Sequence, residues 1–97
     1  MFNIKKIYGE PIYSCVDNNM ERIFVYDSVI FIDNNSETLA IMRNKISNVI
    51  IDHTDYSIRL YTADDDYEEL SLNKITAYEL FRVIIPCEDS TAYKKID

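Results

Sequence analysis

The sequence contains one glycine, two prolines, two cysteines, one histidine and no tryptophan. Each scarcity removes a class of function. A loop that cradles phosphate needs several glycines, because its backbone must approach the ligand closely and reach positive φ. Gly9 alone cannot build one, so no nucleotide cofactor is expected. A GxSxG nucleophile elbow is absent for the same reason. Cys15 and Cys87 show no CxxC spacing, which predicts two free thiols rather than a metal knuckle or a disulfide. The lone His53 lies within Asp52-His53-Thr54-Asp55 and reads as an exposed turn residue. General acid–base chemistry needs several groups gathered in one pocket, and no such set is visible. The expectation is a protein that is not an enzyme, with no catalytic, cofactor or metal residues.

Long apolar runs are missing too. The runs present, Val29 to Ile32 and Val83 to Ile85 among them, fall far short of the roughly 20 residues needed to cross a bilayer. Met1 to Tyr8 carry two lysines but lack the apolar run of roughly 7–15 residues that a secretory signal requires. No membrane insertion is expected, and the predicted compartment is the cytoplasm of a bacterium or of an infected host. Cations are scarce: ten Lys and Arg stand against seventeen Asp and Glu, for a net charge of −7. The only basic pairs, Lys5-Lys6 and Lys94-Lys95, sit near the two ends. Nucleic-acid binding needs a basic stripe, so direct binding is not expected.

What remains is rich in Ile, Asn, Tyr and Lys. Their codons are AT-rich, which suggests a gene from a low-GC bacterium, a phage or another virus. A hydrophobic fraction of 47% with little glycine or proline predicts a folded globule. One domain is expected over residues 1–97, with a core at about 10–86 and a polar tail at 87–97. Short apolar segments alternate with polar turn clusters, the pattern of antiparallel strands. Strands are predicted at 12–16, 22–26, 29–32, 38–42, 49–52, 57–63 and 68–72, with an opening strand at 2–8. Asp17-Asn18-Asn19, Asp33-Asn34-Asn35-Ser36 and Asp64-Asp65-Asp66 carry turn chemistry. Ile58 and Leu60 share one face of their strand, and Arg59 and Tyr61 the other.

After Asn73 the period changes. Ala77, Leu80, Phe81 and Ile84 fall at helical spacing, and Pro86 stops the run. Thr76 with Glu79 suggests a capping box, with Asn73 as the alternative cap. The predicted class is mainly β (α+β): a bent antiparallel sheet or open barrel of about seven strands, closed by one C-terminal α-helix.

The run from Glu21 to Pro86 resembles the bacterial pleckstrin-homology-like (PH-like) domains. The pattern comprises RIFVYDSVIFID, TLAIMRNKISNVIID, the charged hairpin SIRLYTADDDYEELSLN and the closing helix ITAYELFRVI. The resemblance implies a binding platform without chemistry of its own. Some members bind phosphoinositides through basic residues between the first two strands. Here that loop, Asp17 to Glu21, carries no cation, which counts against a lipid-binding adaptor.

Two features suggest a partner. Segments 22–26, 29–32 and 38–42 are apolar on both faces, whereas a sheet with one wet face should alternate. Either another part of the chain covers the second face, or a second copy or a different protein does. Phe24, Tyr26, Ile30, Ile32 and Met42 are the candidates there. The other feature is the acidic run Asp64, Asp65, Asp66 and Glu68, suited to a basic surface. It lacks the interleaved carboxylates and turn glycine of a Ca²⁺ loop. The expected function is a protein-interaction module that occludes its partner, as an inhibitor or an immunity protein, with a homodimer possible. The alternative is an acidic decoy that mimics nucleic acid.

Overall fold

The structure is a computed structural model that describes residues 3–85. The predicted tail at 87–97 lies outside the described residues, as do Phe2 and Cys87. Seven strands follow one another: β1 (Tyr13–Val16), β2 (Arg22–Val25), β3 (Val29–Asp33), β4 (Thr38–Met42), β5 (Asn48–Ile51), β6 (Ser57–Tyr61) and β7 (Tyr67–Ser71). The first four form an antiparallel sheet in the order β1-β2-β3-β4, and the last three a second in the order β5-β6-β7. The chain is mainly β and ends its described part in a helix, as expected. The strands form two sheets rather than one, and no closed barrel is formed among the described residues. A 3-10 turn at Arg43–Lys45 carries the chain from the first sheet to the second. At another corner the sheets meet through the Asn18 N–H, which donates to the Ser71 carbonyl at 2.8 Å.

The turns are built by the residues that punctuate the sequence. Asp17 Oδ1 accepts from the Asn19 and Glu21 amides at 2.9 and 2.8 Å, folding the β1–β2 loop under a buried carboxylate. Asn34 Oδ1 accepts from the Ser36 and Glu37 amides in the β3–β4 turn. These are the local side-chain bonds that make Asp and Asn turn formers.

The core lies between the two sheets and under α2 (Lys74–Ile84). Ile23, Val25, Ile30, Ile32 and Ile41 enter it from the first sheet, and Ile58, Leu60, Leu70 and Leu72 from the second. Ala77, Leu80 and Ile84 of α2 are buried against them. A helix of 11 residues is marginal alone, so this stripe holds it in place. The two long side chains contribute about 1.5–3 kcal/mol each on burial. Asn73 is the N-cap: its Oδ1 accepts from the Thr76 amide at 2.9 Å. The Thr76–Glu79 capping box does not form, because Glu79 instead accepts from the Tyr13 hydroxyl of β1.

The predicted opening strand is a helix, α1 (Ile4–Tyr8). Asn3 caps it by accepting from the Lys6 amide, and Gly9 ends it at φ 83. Ile4 and Tyr8, four apart, lie about one turn apart on the same side of this helix. This segment explains the two-faced apolar strands. Central β3 is buried at all five positions. Ile30 and Ile32 turn to the main core, while Val29 and Phe31 turn outward and pack with Ile4 in a second cluster beside Phe24 and Tyr26. Tyr8 lies against Phe31 with ring centroids 5.0 Å apart, and the Tyr26 hydroxyl donates to the Gly9 carbonyl.

Candidate functional site

The structure divides the candidate residues into three groups. Ile30 and Ile32 point into the main core, at 0% and 5% exposure, so neither presents a surface. They sit on the opposite face of the sheet from Phe24, because β2–β3 register pairs Phe24 with Phe31 and Val25 with Ile30. Phe24, Tyr26 and Met42 do lie on the outward face, where α1 covers Phe24 and Tyr26 in part and leaves Met42 exposed. Beside α1 runs an open groove of about 640 Å³ lined by Lys5, Ser14, Val16, Arg22, Phe24 and Asp33. Arg22 is committed there, 2.6 Å from Asp33, whose other oxygen accepts from the Thr38 hydroxyl.

The third group is brought together. Asp64, Asp65, Asp66 and Glu68 are all exposed on the β6–β7 hairpin, closed by a bond from the Thr62 amide to the Asp66 carbonyl. Directly behind them lies the outer face of the three-stranded sheet. Strand alternation turns Ile58, Leu60 and Leu70 inward, so Arg59, Tyr61, Tyr67 and Glu69 turn outward. Register aligns Ile50, Arg59 and Glu69 in one row across the sheet, and Asn48, Tyr61 and Tyr67 in the next. The Tyr61 and Tyr67 rings lie 4.8 Å apart, and the Arg59 guanidinium stands over the Tyr67 ring at 5.9 Å. Arg59 also approaches Asp52 at 3.6 Å. Ile50 and Tyr67 are 42% and 45% exposed on this face. The face is thus two tyrosines, an isoleucine, one arginine and Glu69, with the aspartates of the hairpin at its end and Glu68 on the other side of the same strand.

Arg59 and Tyr61 were legible as one face of their strand. Ile50 and Tyr67 were not, since their place beside that face depends on strand pairing.

Other titratable groups are tied into the fold. Burial pushes the Cys15 thiol up to about 11, so it stays protonated near neutral pH and is a poor nucleophile. Burial, then the bond to Glu79, raises the Tyr13 hydroxyl. The backbone N–H of Ser57, followed by its hydroxyl, lowers Asp55. His53 is exposed and its Nδ1 lies 2.7 Å from the Tyr78 hydroxyl of α2. Among the described residues no group of three or more His, Cys, Asp or Glu side chains is placed to hold a metal. No described helix is long and apolar enough to cross a membrane. Compared with protein-family models, curated proteins and solved structures, the chain has no match.

Proposed function

We propose that the chain is a non-catalytic protein-binding module that docks on a basic protein surface through the outer face of its three-stranded sheet. The observation that carries this reading is the outward Tyr61–Tyr67–Arg59 cluster, half-buried except for exposed Tyr67 and edged by carboxylates. Tyrosine and arginine are enriched at the energetic centres of interfaces, because they bury large areas at small entropic cost and retain a polar handle. The rim of Asp64, Asp65, Asp66, Glu68 and Glu69 contributes mainly to encounter rate and choice of partner. Individually, exposed ion pairs contribute only about 0.2–1 kcal/mol. Binding by such a face blocks whatever the partner's surface normally contacts, which is how an inhibitor or immunity protein acts.

The PH-like reading belongs to the same proposal. Four antiparallel strands, then three, then a closing helix follow the element order that the resemblance implies, and this order supports it. A second reading, the acidic decoy for a nucleic-acid-binding protein, is favoured by the same five carboxylates on one hairpin. The two readings separate by salt. A decoy loses orders of magnitude in affinity between 50 and 200 mM salt, as phosphate contacts do, whereas a tyrosine-centred interface changes little.

The test is affinity capture from host extract with wild-type chain, with Tyr61→Ser/Tyr67→Ser, and with Met42→Ser on the opposite side. A partner held by wild type and Met42→Ser but lost with the tyrosine pair supports the proposal. Equal capture by all three overturns it.

A further inference from the structure

Among the described residues the three-stranded sheet ends at β7, which pairs there with β6 alone. In an antiparallel pair, alternate residues direct their N–H and C=O groups to the partner strand, and the residues between direct theirs away. The Thr62 amide bonds to the Asp66 carbonyl, so Asp66, Glu68 and Leu70 face β6. The backbone groups of Tyr67, Glu69 and Ser71 therefore point out of the sheet. Ser71 bears this out, because its carbonyl accepts from the Asn18 amide of the β1–β2 loop at 2.8 Å. That bond is already the first rung of a further ladder. At Tyr67 and Glu69 the ladder stops: α2 packs on β1, β5 and β6, and no described segment pairs with β7 beyond Ser71.

An open edge is a template for another strand. Its side chains decide which strand fits. Glu68 and Glu69 stand on it, the three aspartates lie at its turn, and Tyr67 flanks it on the outer face. A second copy of β7 would bring like charges face to face, which disfavours self-pairing. A strand carrying Lys or Arg on alternate residues sets its cations beside Glu68 on one side of the sheet and its remaining residues beside Tyr67 and Glu69 on the other.

We propose that β7 binds an extended basic segment of a partner protein by strand addition, continuing the ladder from Ser71 through Glu69 to Tyr67. This rests on the docking face proposed above and specifies how the partner engages it. Main-chain bonds supply pairing, and the carboxylates supply selection of basic over acidic strands.

The experiment uses the full chain, ¹⁵N-labelled, with a blocked heptapeptide Lys-Thr-Lys-Val-Lys-Thr-Lys as probe. Three comparisons are made: the same peptide with its central Val replaced by Pro, the peptide with Glu for Lys, and the Glu68→Lys/Glu69→Lys variant. The expected result is exchange slowed at least tenfold at the Tyr67 and Glu69 amides by the basic peptide. The proline peptide binds at least tenfold more weakly, and the variant reverses preference to the acidic peptide. Equal binding of the proline peptide, or no protection at Tyr67 and Glu69, overturns strand addition. That failure leaves capture through the tyrosines standing. Loss of capture selectivity with protection intact would instead remove the docking-face reading.

Discussion

Arg43 fastens the closing helix to the four-stranded sheet, and its replacement by Met should unfasten it. Its Nη2 donates to the Val83 and Ile84 carbonyls at 3.1 and 2.8 Å, while Nη1 donates to the Tyr26 carbonyl at 3.0 Å. Its backbone is held separately, by a bond from its amide to the Ser28 carbonyl. One side chain thus satisfies two of the last carbonyls of α2, places a cation at its negative end, and ties it to the β2–β3 turn. Hydrogen bonds from charged donors are worth about 1.5–3 kcal/mol each, but summing three overshoots, since water replaces the guanidinium at a half-buried helix end. Arg43→Met keeps the apolar stem and should cost about 2–3 kcal/mol. For a chain of this size that lowers the melting temperature by about 8–24 °C. Arg43→Lys keeps the charge at the helix end but not the fork, and should recover only about 1 kcal/mol. Urea denaturation measures all three proteins, with an unchanged dependence on denaturant expected. A cost below about 0.5 kcal/mol for Arg43→Met, or full recovery by lysine, would refute the anchoring role.

Ile30→Asp should abolish folding, because it places a carboxylate in the main core, whereas Phe24→Asp should leave a folded chain; circular dichroism and chromatography compare them, and a folded Ile30→Asp would contradict the division of faces. Ile4→Asp should release α1 and uncover Val29 and Phe31, seen as increased dye binding with the signals of the main core unchanged. Stability should also decline in alkali. The Cys15 thiol is raised from 9.0 to about 11 in the folded state, so its share is fully present below about pH 9 and lost as pH rises to about 11. Because the thiol is only partly buried, solvent screening holds that share to about 1–2 kcal/mol. Denaturation of Cys15→Ala across the same window should show a correspondingly flatter decline, and parallel curves would remove burial of the thiol as its cause.

The strands and the closing helix were legible because their periods are strong. Period 2 in 57–61 and the spacing of Ala77, Leu80 and Ile84 state their own geometry, and Asn73 was visible as a cap. The first helix was not legible. Five residues give no measurable period, and the packing of Ile4 with Val29 and Phe31 that buries this helix depends on contacts distant in sequence. The double-faced apolar pattern correctly demanded cover, but which residue faced which way depended on β2–β3 register, and Ile30 and Ile32 were assigned to the wrong side. The acidic hairpin was visible as composition. The tyrosine pair behind it was not, since Tyr61 and Tyr67 meet only across a hairpin whose register places them opposite each other.

The most direct test is a hydrogen-exchange footprint of the chain with its captured, purified partner. Protection is predicted over Tyr61, Tyr67 and Glu69, with residues 3–8 and Met42 unchanged. A footprint centred on α1 and Met42, with the outer face of the three-stranded sheet still exchanging freely, would contradict it.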